Sequence, residues 1–410
     1  MKEPSMRSAP VVLLSCAIGL MFSVSPTFLA SMSVFIKPLA AEFGWGRTQV
    51  AAAVSVCTLL LAVCSPLIGP LLDRHGPRRV ILAGTALFAA AVASMALLNG
   101  SYAMYLVIAA LIGITGTASN AFAYLSILPN WFDKRFGLSL GVAMIGVGLG
   151  QLAAPLYANA LVAGYGWRVA YALIGLLILV VTVPNAFFLL RDRPDEGAVK
   201  RAKSAEPAAG ATRAEAIAQP VFWRLSLSFF FITVAASGVI IHLVPLLTDR
   251  GLTTANAAAM AALIGSSLMM GRLVTGVLLD YLSATLIGMV CFAGAAGGIA
   301  MLMAGVQGPL IPIAIILIGT AFGVEGDLMA FMTRRIFGMR AYGAIYGLMF
   351  GIFNAGIVLG PLLMGLSFDL TKSYGDGLTA LFAMALGAVV LIGWPSSKPA
   401  YQPEIRPRVS

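Results

Sequence analysis

Gly-Pro-Leu-Leu-Asp-Arg-His-Gly-Pro-Arg-Arg, residues 69–79, closes a long apolar run and opens a short basic loop. The first five residues of this stretch have a similar counterpart, Gly276-Val-Leu-Leu-Asp280, at the end of a later apolar run. A second block repeats with nearly the same shift, so that Gly137, Gly141, Gly150 and Pro155 recur as Gly343, Gly347, Gly356 and Pro361. Two independent blocks with one shift indicate a duplicated unit. Two like bundles of helices would place a binding site at their interface.

The composition indicates a membrane protein. Of the 410 residues, 60% are hydrophobic and only 10% are charged, whereas an ordinary soluble domain has about 25% charged residues. A helix that spans a bilayer needs about 20 apolar residues, so the chain has enough for about twelve spans. This apolar content excludes a soluble enzyme. Continuous apolar runs also exclude a membrane β-barrel, whose strands alternate. We therefore predict an all-α membrane protein with twelve transmembrane helices.

The one long polar segment divides the predicted helices into six and six. The expected parts are an N-terminal bundle (1–190), a cytoplasmic linker (191–221), a C-terminal bundle (222–395) and a cytoplasmic tail (396–410). With both termini and the linker in the cytoplasm, the cytoplasmic segments hold roughly four times as many Lys and Arg residues as the external ones. This bias accounts for the net charge of +10 without nucleic acid. The four cysteines lie in apolar runs without metal-ligand spacing, so no metal or cofactor is predicted.

Residues 69–79 match every specified position of the loop signature G-x-L-x-D-R-x-G-x-R-R, and the chain resembles the major facilitator superfamily. Further pieces are similar to the monocarboxylate porters and the oxalate/formate-antiporter-like group: Gly44-Trp-Gly-Arg-Thr48, Trp131-Phe-Asp-Lys-Arg-Phe-Gly137, Gly166-Trp-Arg168, His242-Leu-Val-Pro245 and Gly271-Arg272. The resemblance implies two pseudo-symmetric six-helix bundles that alternate access to a central site.

The loop signature also predicts a gate. Asp73 lies at a cytoplasmic helix end beside Arg74 and Arg78, where its carboxylate can meet the N-terminal dipole of the eleventh helix. Asp280 is its counterpart in the second half. The resemblance implies that such contacts latch the two halves together in the outward-open state. The alternative is a solvated basic loop that only sets the orientation.

Arg272 is the one cation inside a predicted span. It precedes Asp280 by about 12 Å of helix, which places it near the middle of the bilayer. An arginine there costs about 2.5–3.5 kcal/mol to insert, so it should face a cavity or a partner. Its guanidinium suits a carboxylate, and the resemblance implies a substrate-binding arginine on this helix. The alternative is a structural ion pair within the second bundle.

Two acids in the tenth span, Glu325 and Asp327, lie at the same depth as Arg272. They are separated by roughly 200° around the helix, so both cannot face the cavity equally. We expect one acid to pair with Arg272 in the empty protein and the other to lie towards a neighbouring helix. Glu325 is the predicted proton carrier, because a carboxyl group in a low dielectric takes up a proton more readily. Asp327 is the second candidate for proton coupling, and a purely structural pair is the alternative.

Five uncharged or weakly basic side chains are candidate substrate contacts: Asn120, Asn354, His242, Gln151 and Thr27. Each could equally join neighbouring helices, because polar side chains within membranes often do so. His242 could instead cap a helix turn before a proline. Three tyrosines are expected to be packing or interface residues: Tyr124, Tyr157 and Tyr346.

Together these features predict a secondary transporter in the inner or plasma membrane, monomeric, that moves a small organic anion with a proton. Residues 343–366 contain no Lys or Arg, unlike the oxalate-type pattern, which has a second cation there. A single cation favours a monocarboxylate over a dianion, and the acids favour symport. Alternatives are an anion exchanger, or a transporter of a larger aromatic acid, vitamin or drug-like solute. A membrane-embedded enzyme or a sensor lacks supporting motifs, and no nucleotide motif is present.

Overall fold

The computed structural model describes residues 9–132, 135–191 and 210–394, and these segments are almost entirely helical. Eleven helices in them are long and apolar enough to cross a membrane. One of these, Phe136–Phe188, contains a break at Gly166, whose φ of 79° and ψ of 164° are not helical. Its 53 residues would be about 80 Å long as one helix, against a bilayer core of about 30 Å. It is therefore two crossings, and the prediction of twelve transmembrane helices is confirmed.

We number the crossings in chain order. The first six are α1 (Ala9–Phe43), α2 (Arg47–His75), α3 (Pro77–Leu97), α4 (Tyr102–Trp131), α5 (136–165) and α6 (167–188). The second six are α7 (Pro220–Asp249), α8 (Thr254–Leu278), α9 (Ala284–Met303), α10 (Leu310–Phe337), α11 (Tyr342–Thr371) and α12 (Gly375–Gly393).

Part of the predicted linker is ordered as a helix. The short helix Arg213–Ala218 begins at a capping box, in which Thr212 and Glu215 satisfy each other's backbone amides. Ala211 N donates to Phe337 O over 2.8 Å, which ties this segment to the end of α10. Residues 192–209, the remainder of the predicted linker, and the predicted tail at 396–410 lie outside the described residues. We call the side of the molecule that carries helix Arg213–Ala218 the linker side.

Small residues hold the helices of each bundle close together. In the first bundle, a Cβ placed on Gly146 of α5 would lie 1.9 Å from Ala17 O of α1. In the second, a Cβ on Gly360 of α11 would lie 2.3 Å from Val234 O of α7. Side chains larger than a hydrogen atom cannot occupy these crossings, which is how glycine permits close helix packing in membranes. The glycines that the repeat aligns lie at the same crossings, because a Cβ on Gly150 would lie 2.2 Å from Met21 O and one on Gly356 would lie 2.9 Å from Phe230 O. The sequence repeat thus corresponds to a repeat of packing, α5 on α1 and α11 on α7.

The two bundles meet through their linker-side halves. Helix α2 crosses α11 where a Cβ on Gly69 would lie 2.2 Å from Gly343 O. Helix α8 crosses α5 in the same way, because a Cβ on Gly276 would lie 2.9 Å from Gly137 O. These are the glycines of the two sequence repeats. The contacts close the linker side of the interface between the bundles.

Candidate functional site

Arg272 lies on the face of α8 that is turned away from the exposed apolar face. Met270 is 62% exposed and Val274 is 47% exposed, and they mark the side that would meet lipid. Gly265 is about two turns before Arg272 and therefore shares its face. That glycine is exposed, and a Cβ built on it meets no atom within 4 Å. The half-buried Arg272 therefore lies on a face of α8 that borders open space at Gly265 and meets α5 of the other bundle, where a Cβ on Gly141 would lie 2.9 Å from Arg272 O.

Two hydrogen-bond donors of the Arg272 guanidinium have no acceptor in the described segments. Its Nε and Nη1 atoms are buried and have no hydrogen-bond partner. No carboxylate oxygen of Glu325 or Asp327 comes within the 4.0 Å of an ion pair with it. The predicted pairing of one acid with Arg272 in the empty protein is therefore wrong. The guanidinium interacts with both acids only electrostatically, at longer range.

The two acids of α10 have different surroundings, although both are 0% exposed. Glu325 is turned towards α7, where its Oε2 shares a short hydrogen bond with the hydroxyl of Thr233. This bond is the reason that Glu325 does not reach Arg272. Asp327 has no partner for either oxygen within the described chain. The expectation that the two acids point in different directions agrees with this arrangement.

Arg272, Glu325 and Asp327 form a group that we call the charge cluster. Tyr346 of α11 belongs to this cluster too, which the sequence analysis did not anticipate. Its ring packs as expected, with Phe122 of α4 at 6.3 Å and Phe350 at 6.1 Å between ring centroids. Its hydroxyl, however, is buried without a partner. It also interacts electrostatically with Arg272 and Asp327. One signal could have identified it, since the repeat that aligns Gly137 with Gly343 places Leu140 at this position in the first half.

Asp73 and the first amides of α11 form a latch between the bundles. Its Oδ1 accepts a hydrogen bond from Gly343 N at 2.7 Å, and its Oδ2 accepts one from Ala344 N at 2.7 Å. A carboxylate at this position satisfies two of the free amides of a helix N-terminus and its positive dipole end.

The second latch is the pseudo-symmetric copy of the first. Asp280, after α8, accepts hydrogen bonds from Gly137 N at 2.9 Å and from Leu138 N at 3.2 Å. The two basic residues of the predicted gate take no part in the hydrogen bonds of either latch. Arg78 donates to Phe187 O of α6 and stacks over that ring at 5.6 Å, within its own bundle. Arg74 is exposed.

The fold and these motifs agree with a comparison to known proteins. The family model described as Major Facilitator Superfamily matches residues 13–361. The chain belongs to the major facilitator superfamily. It is therefore a multi-pass membrane transporter rather than an enzyme, and the recognition made from residues 69–79 is confirmed.

Relatives and solved structures support this family. Monocarboxylate transporter 4 of Gallus gallus is 28% identical over 380 residues, which are 88% of this chain and 77% of the relative. Monocarboxylate transporter 11 of Homo sapiens is 25% identical over 391 residues, 92% of this chain and 81% of the relative. The crystal structure of the human organic anion transporter MFSD10 (TETRAN) superposes with a TM-score of 0.72 at 17% identity, covering 95% of this chain and 100% of that one. The proton:xylose symporter XylE superposes with a TM-score of 0.71 at 14% identity, covering 94% and 95%.

Within this facilitator, all three candidates of the first bundle bond inside that bundle. Thr27 lies in a π-helical turn of α1 and donates back to Ser23 O at 2.6 Å. Gln151 of α5 donates to the Ser25 hydroxyl at 3.2 Å. Asn120 lies where α4 breaks, and its Oδ1 accepts from Ala121 N at 2.7 Å. These bonds stabilise irregular turns, and they do not join the charge cluster.

The two candidates of the second bundle contact backbone carbonyl oxygens rather than the charge cluster. Asn354 donates to Phe350 O of its own helix at 2.8 Å. His242 Nε2 lies 3.1 Å from Pro361 O, so the side chain joins α7 to α11 rather than capping its own helix. Both contacts are those of residues that join helices. Their roles in substrate binding stay predictions.

A cavity of about 540 Å³ lies at the other end of the second bundle, between the ends of α7, α9, α11 and α12. Its charged lining residues are Asp249, Arg250, Lys372 and Asp376. Arg272 and the two acids of α10 do not line it. The charge cluster, whose buried polar atoms lack partners among the described residues, is the candidate site instead.

Proposed function

We propose that this transporter carries small organic monoanions, with monocarboxylates as the first class, together with a proton. One observation carries the proposal: the guanidinium of Arg272, on the face of α8 that borders open space, has two buried donors without partners. A membrane arginine in that state requires an anion. Each of these free donors can give a charge-assisted hydrogen bond to a carboxylate oxygen. The monocarboxylate transporters among the relatives support this class of substrate.

The charges of the cluster give a reason for proton coupling. Arg272 carries one positive charge, and Glu325 and Asp327 can carry one negative charge each. If one acid is protonated, the empty cluster is neutral. Adding a monoanion then leaves an uncompensated buried charge, which is costly. Protonation of the second acid restores neutrality, so one proton would accompany each monoanion.

The contact between Glu325 and Thr233 favours Glu325 as the acid that binds the transported proton. Thr233 Oγ1 lies 2.7 Å from Phe229 O and also in hydrogen-bond range of Glu325 Oε2. A hydroxyl has one hydrogen to donate. If Thr233 donates it to Phe229 O, the second contact is a hydrogen bond only when Glu325 is the donor and is therefore protonated.

The two Asp latches supply the alternating step of the proposal. In the described arrangement they hold α2 on α11 and α8 on α5 at the linker side. We assign the linker side to the cytoplasm, because Arg79, Arg335 and Arg340 lie there with other basic residues. Release of both latches would open the site to that side, where proton and anion would leave together.

Transport by reconstituted protein tests the proposal. Proteoliposomes with an acidic exterior are given radiolabelled lactate, benzoate or oxalate. We expect uptake of the two monocarboxylates to rise with the pH gradient, and oxalate to be excluded because the cluster has one cation. Exchange of oxalate that does not depend on pH would contradict both the substrate class and the coupling.

Substitution of the guanidinium tests the observation that carries the proposal. Arg272→Lys keeps the charge but cannot present two parallel donors. We expect uptake of monocarboxylate to fall about 10-fold or more, since hydrogen bonds to charged groups are each worth about 1.5–3 kcal/mol. Arg335→Lys, at an exposed position near the end of α10, is the matched control and should transport normally. Normal transport by Arg272→Lys would remove the basis of the proposal.

A further inference from the structure

Tyr346 carries a buried hydroxyl that its packing does not explain. The residue is 0% exposed, and its Oη has no hydrogen-bond partner among the described residues. Tyr342, one turn earlier on α11, is also buried, but its hydroxyl donates to Ala330 O over 3.3 Å. Buried polar groups are nearly always hydrogen-bonded, so each exception needs an explanation. An apolar ring at position 346 would pack as well and would bury no polar atom.

The position of this hydroxyl is fixed by aromatic neighbours from both bundles. The ring contacts Phe122 of α4 edge-on, and within α11 it lies 5.6 Å from Tyr342 and 6.1 Å from Phe350, measured between ring centroids. Such contacts leave the phenol few alternative orientations. Tyr342 Oη donates to Ala330 O of α10, so one turn further along α11 the Tyr346 hydroxyl lies beside the preceding turn of α10, which carries Asp327. The hydroxyl also interacts electrostatically with Asp327 and Arg272.

We propose that the Tyr346 hydroxyl is a second donor to the substrate, which holds the carboxylate together with the guanidinium of Arg272. This assignment deepens the proposed function and rests on it. A carboxylate has room for about four hydrogen bonds on its two oxygens, so two donors from Arg272 leave acceptor capacity for the phenol. The neutral hydroxyl adds affinity without adding charge. Tyr346 thus favours a carboxylate whose oxygens reach α8 and α11 at once.

The competing role for Tyr346 is to act on Asp327 rather than on the substrate. A hydroxyl that donates to Asp327 would stabilise the charged acid. Its loss would then shift the pH at which transport is half-maximal and leave the KM at saturating proton concentration unchanged. Loss of a substrate donor has the opposite pattern, because it weakens binding at every pH.

Transport kinetics of Tyr346→Phe separate the two roles. We expect the KM for lactate to rise about 10-fold, because one hydrogen bond to a charged group is lost. The maximal rate should stay within about two-fold, and the pH midpoint should not move. Tyr342→Phe is the matched control, since it removes a hydroxyl one turn away that is bonded to the backbone. An unchanged KM, or a moved midpoint with an unchanged KM, would overturn the assignment.

A second measurement avoids any effect of the substitution on folding. Site-specific 3-fluorotyrosine at position 346 keeps the ring and makes the hydroxyl more acidic, and therefore a stronger donor. We expect the KM for lactate to fall by about two-fold or more, whereas the same replacement at position 342 should leave it unchanged. An unchanged or raised KM with 3-fluorotyrosine at 346 would count against a donor role. If the wild-type protein moves no monocarboxylate, the proposed function is overturned as well. If the wild-type protein transports monocarboxylate but changes at position 346 leave the KM unchanged, only this inference is overturned.

Discussion

The guanidinium of Arg272 lies near two carboxylic acids and a phenol, yet two of its nitrogen atoms have no hydrogen-bond partner in the described chain. The oxygens of Asp327 and the hydroxyl of Tyr346 share this condition. In a structural ion pair the Arg272 nitrogens would lie in contact with a carboxylate oxygen, because breaking a buried pair costs about 3–5 kcal/mol. Unpaired groups of opposite charge on the side of an open space are the arrangement expected of a binding site that awaits its ligand.

Glu325 should determine whether anion movement is tied to a proton. Glu325→Gln keeps a donor for the Thr233 hydroxyl and imitates the protonated acid. We expect accumulation of lactate driven by a pH gradient to fall about 10-fold or more, while exchange of labelled for unlabelled lactate at equal pH persists. The acid stays permanently neutral in this variant, so it can carry the anion but cannot release a proton. The assay compares gradient-driven uptake with exchange in the same proteoliposomes.

Two companion variants make the Glu325 result specific. Asp376→Asn removes an exposed acid in the first turn of α12 and should behave as wild type. Asp327→Asn tests the other buried acid. Gradient-driven accumulation that survives in Glu325→Gln but is lost in Asp327→Asn would transfer the role of proton carrier to Asp327.

At the scale of helices, glycine sets how the two bundles touch. Helices α2 and α11 cross at Gly69 and Gly343, next to the amides that bind Asp73. The close crossing brings the helix N-terminus within reach of the carboxylate. The same relation holds for α8 and α5. The sequence repeat is therefore a repeat of one contact between the bundles, in which two helices cross at glycines and an aspartate beside the crossing accepts hydrogen bonds from helix amides.

Gly69→Ala should prevent full closure of the linker side. A Cβ there would lie 2.2 Å from Gly343 O, and a backbone atom cannot move aside without separating the helices. We expect the linker-side-closed state to lose stability by about 1–3 kcal/mol, the usual cost of overpacking. Alkylation of a cysteine introduced at Ser65, near the same crossing, should accordingly become about 5-fold faster or more.

The control for this crossing is Gly297→Ala in α9, where an added Cβ meets nothing within 4 Å. Both substitutions add one methyl group to a glycine in a membrane helix, and they differ in what that group meets. Equal alkylation rates for the two variants would show that the glycine crossing does not limit closure.

At the scale of the whole molecule, close packing within each bundle contrasts with the contacts between bundles. Gly146 against Ala17 and Gly360 against Val234 interlock helices inside the two bundles. Contacts between bundles are concentrated at the linker side, at the crossings of α2 with α11 and of α8 with α5. Such a molecule is expected to move as two nearly rigid bodies that rock about the site between them.

Distances between spin labels should change in opposite directions at the two ends of the molecule. Suitable exposed positions are Phe188 with Tyr281 on the linker side and Tyr165 with Leu370 on the opposite side, in a background without the cysteines. On adding lactate at acidic pH we expect the first distance to lengthen and the second to shorten, each by several Å. A control pair within one bundle, Tyr165 with Phe188, should stay constant. A change of the same sign at both ends would contradict rocking.

The sequence by itself determined the number of crossings, the division into two similar halves and the family, because these follow from apolar content and from local signatures. It also identified the residues most expensive to place in a membrane, Arg272, Glu325 and Asp327. Asp73 and Asp280 were placed at helix ends on one side of the membrane, since helix direction fixes which ends share a side, and the family resemblance implied that they meet the opposite bundle.

Only the tertiary structure decided which polar groups pair. The distance from Arg272 to the acids depends on the rotation and tilt of α8 and α10, and no local pattern of residues sets those angles. The same rotation turned Glu325 to Thr233 of α7 and left the hydroxyl of Tyr346 free beside Asp327. A tyrosine in an aromatic stretch has the sequence signature of packing. Whether its single polar atom finds a partner depends on helices far away along the chain.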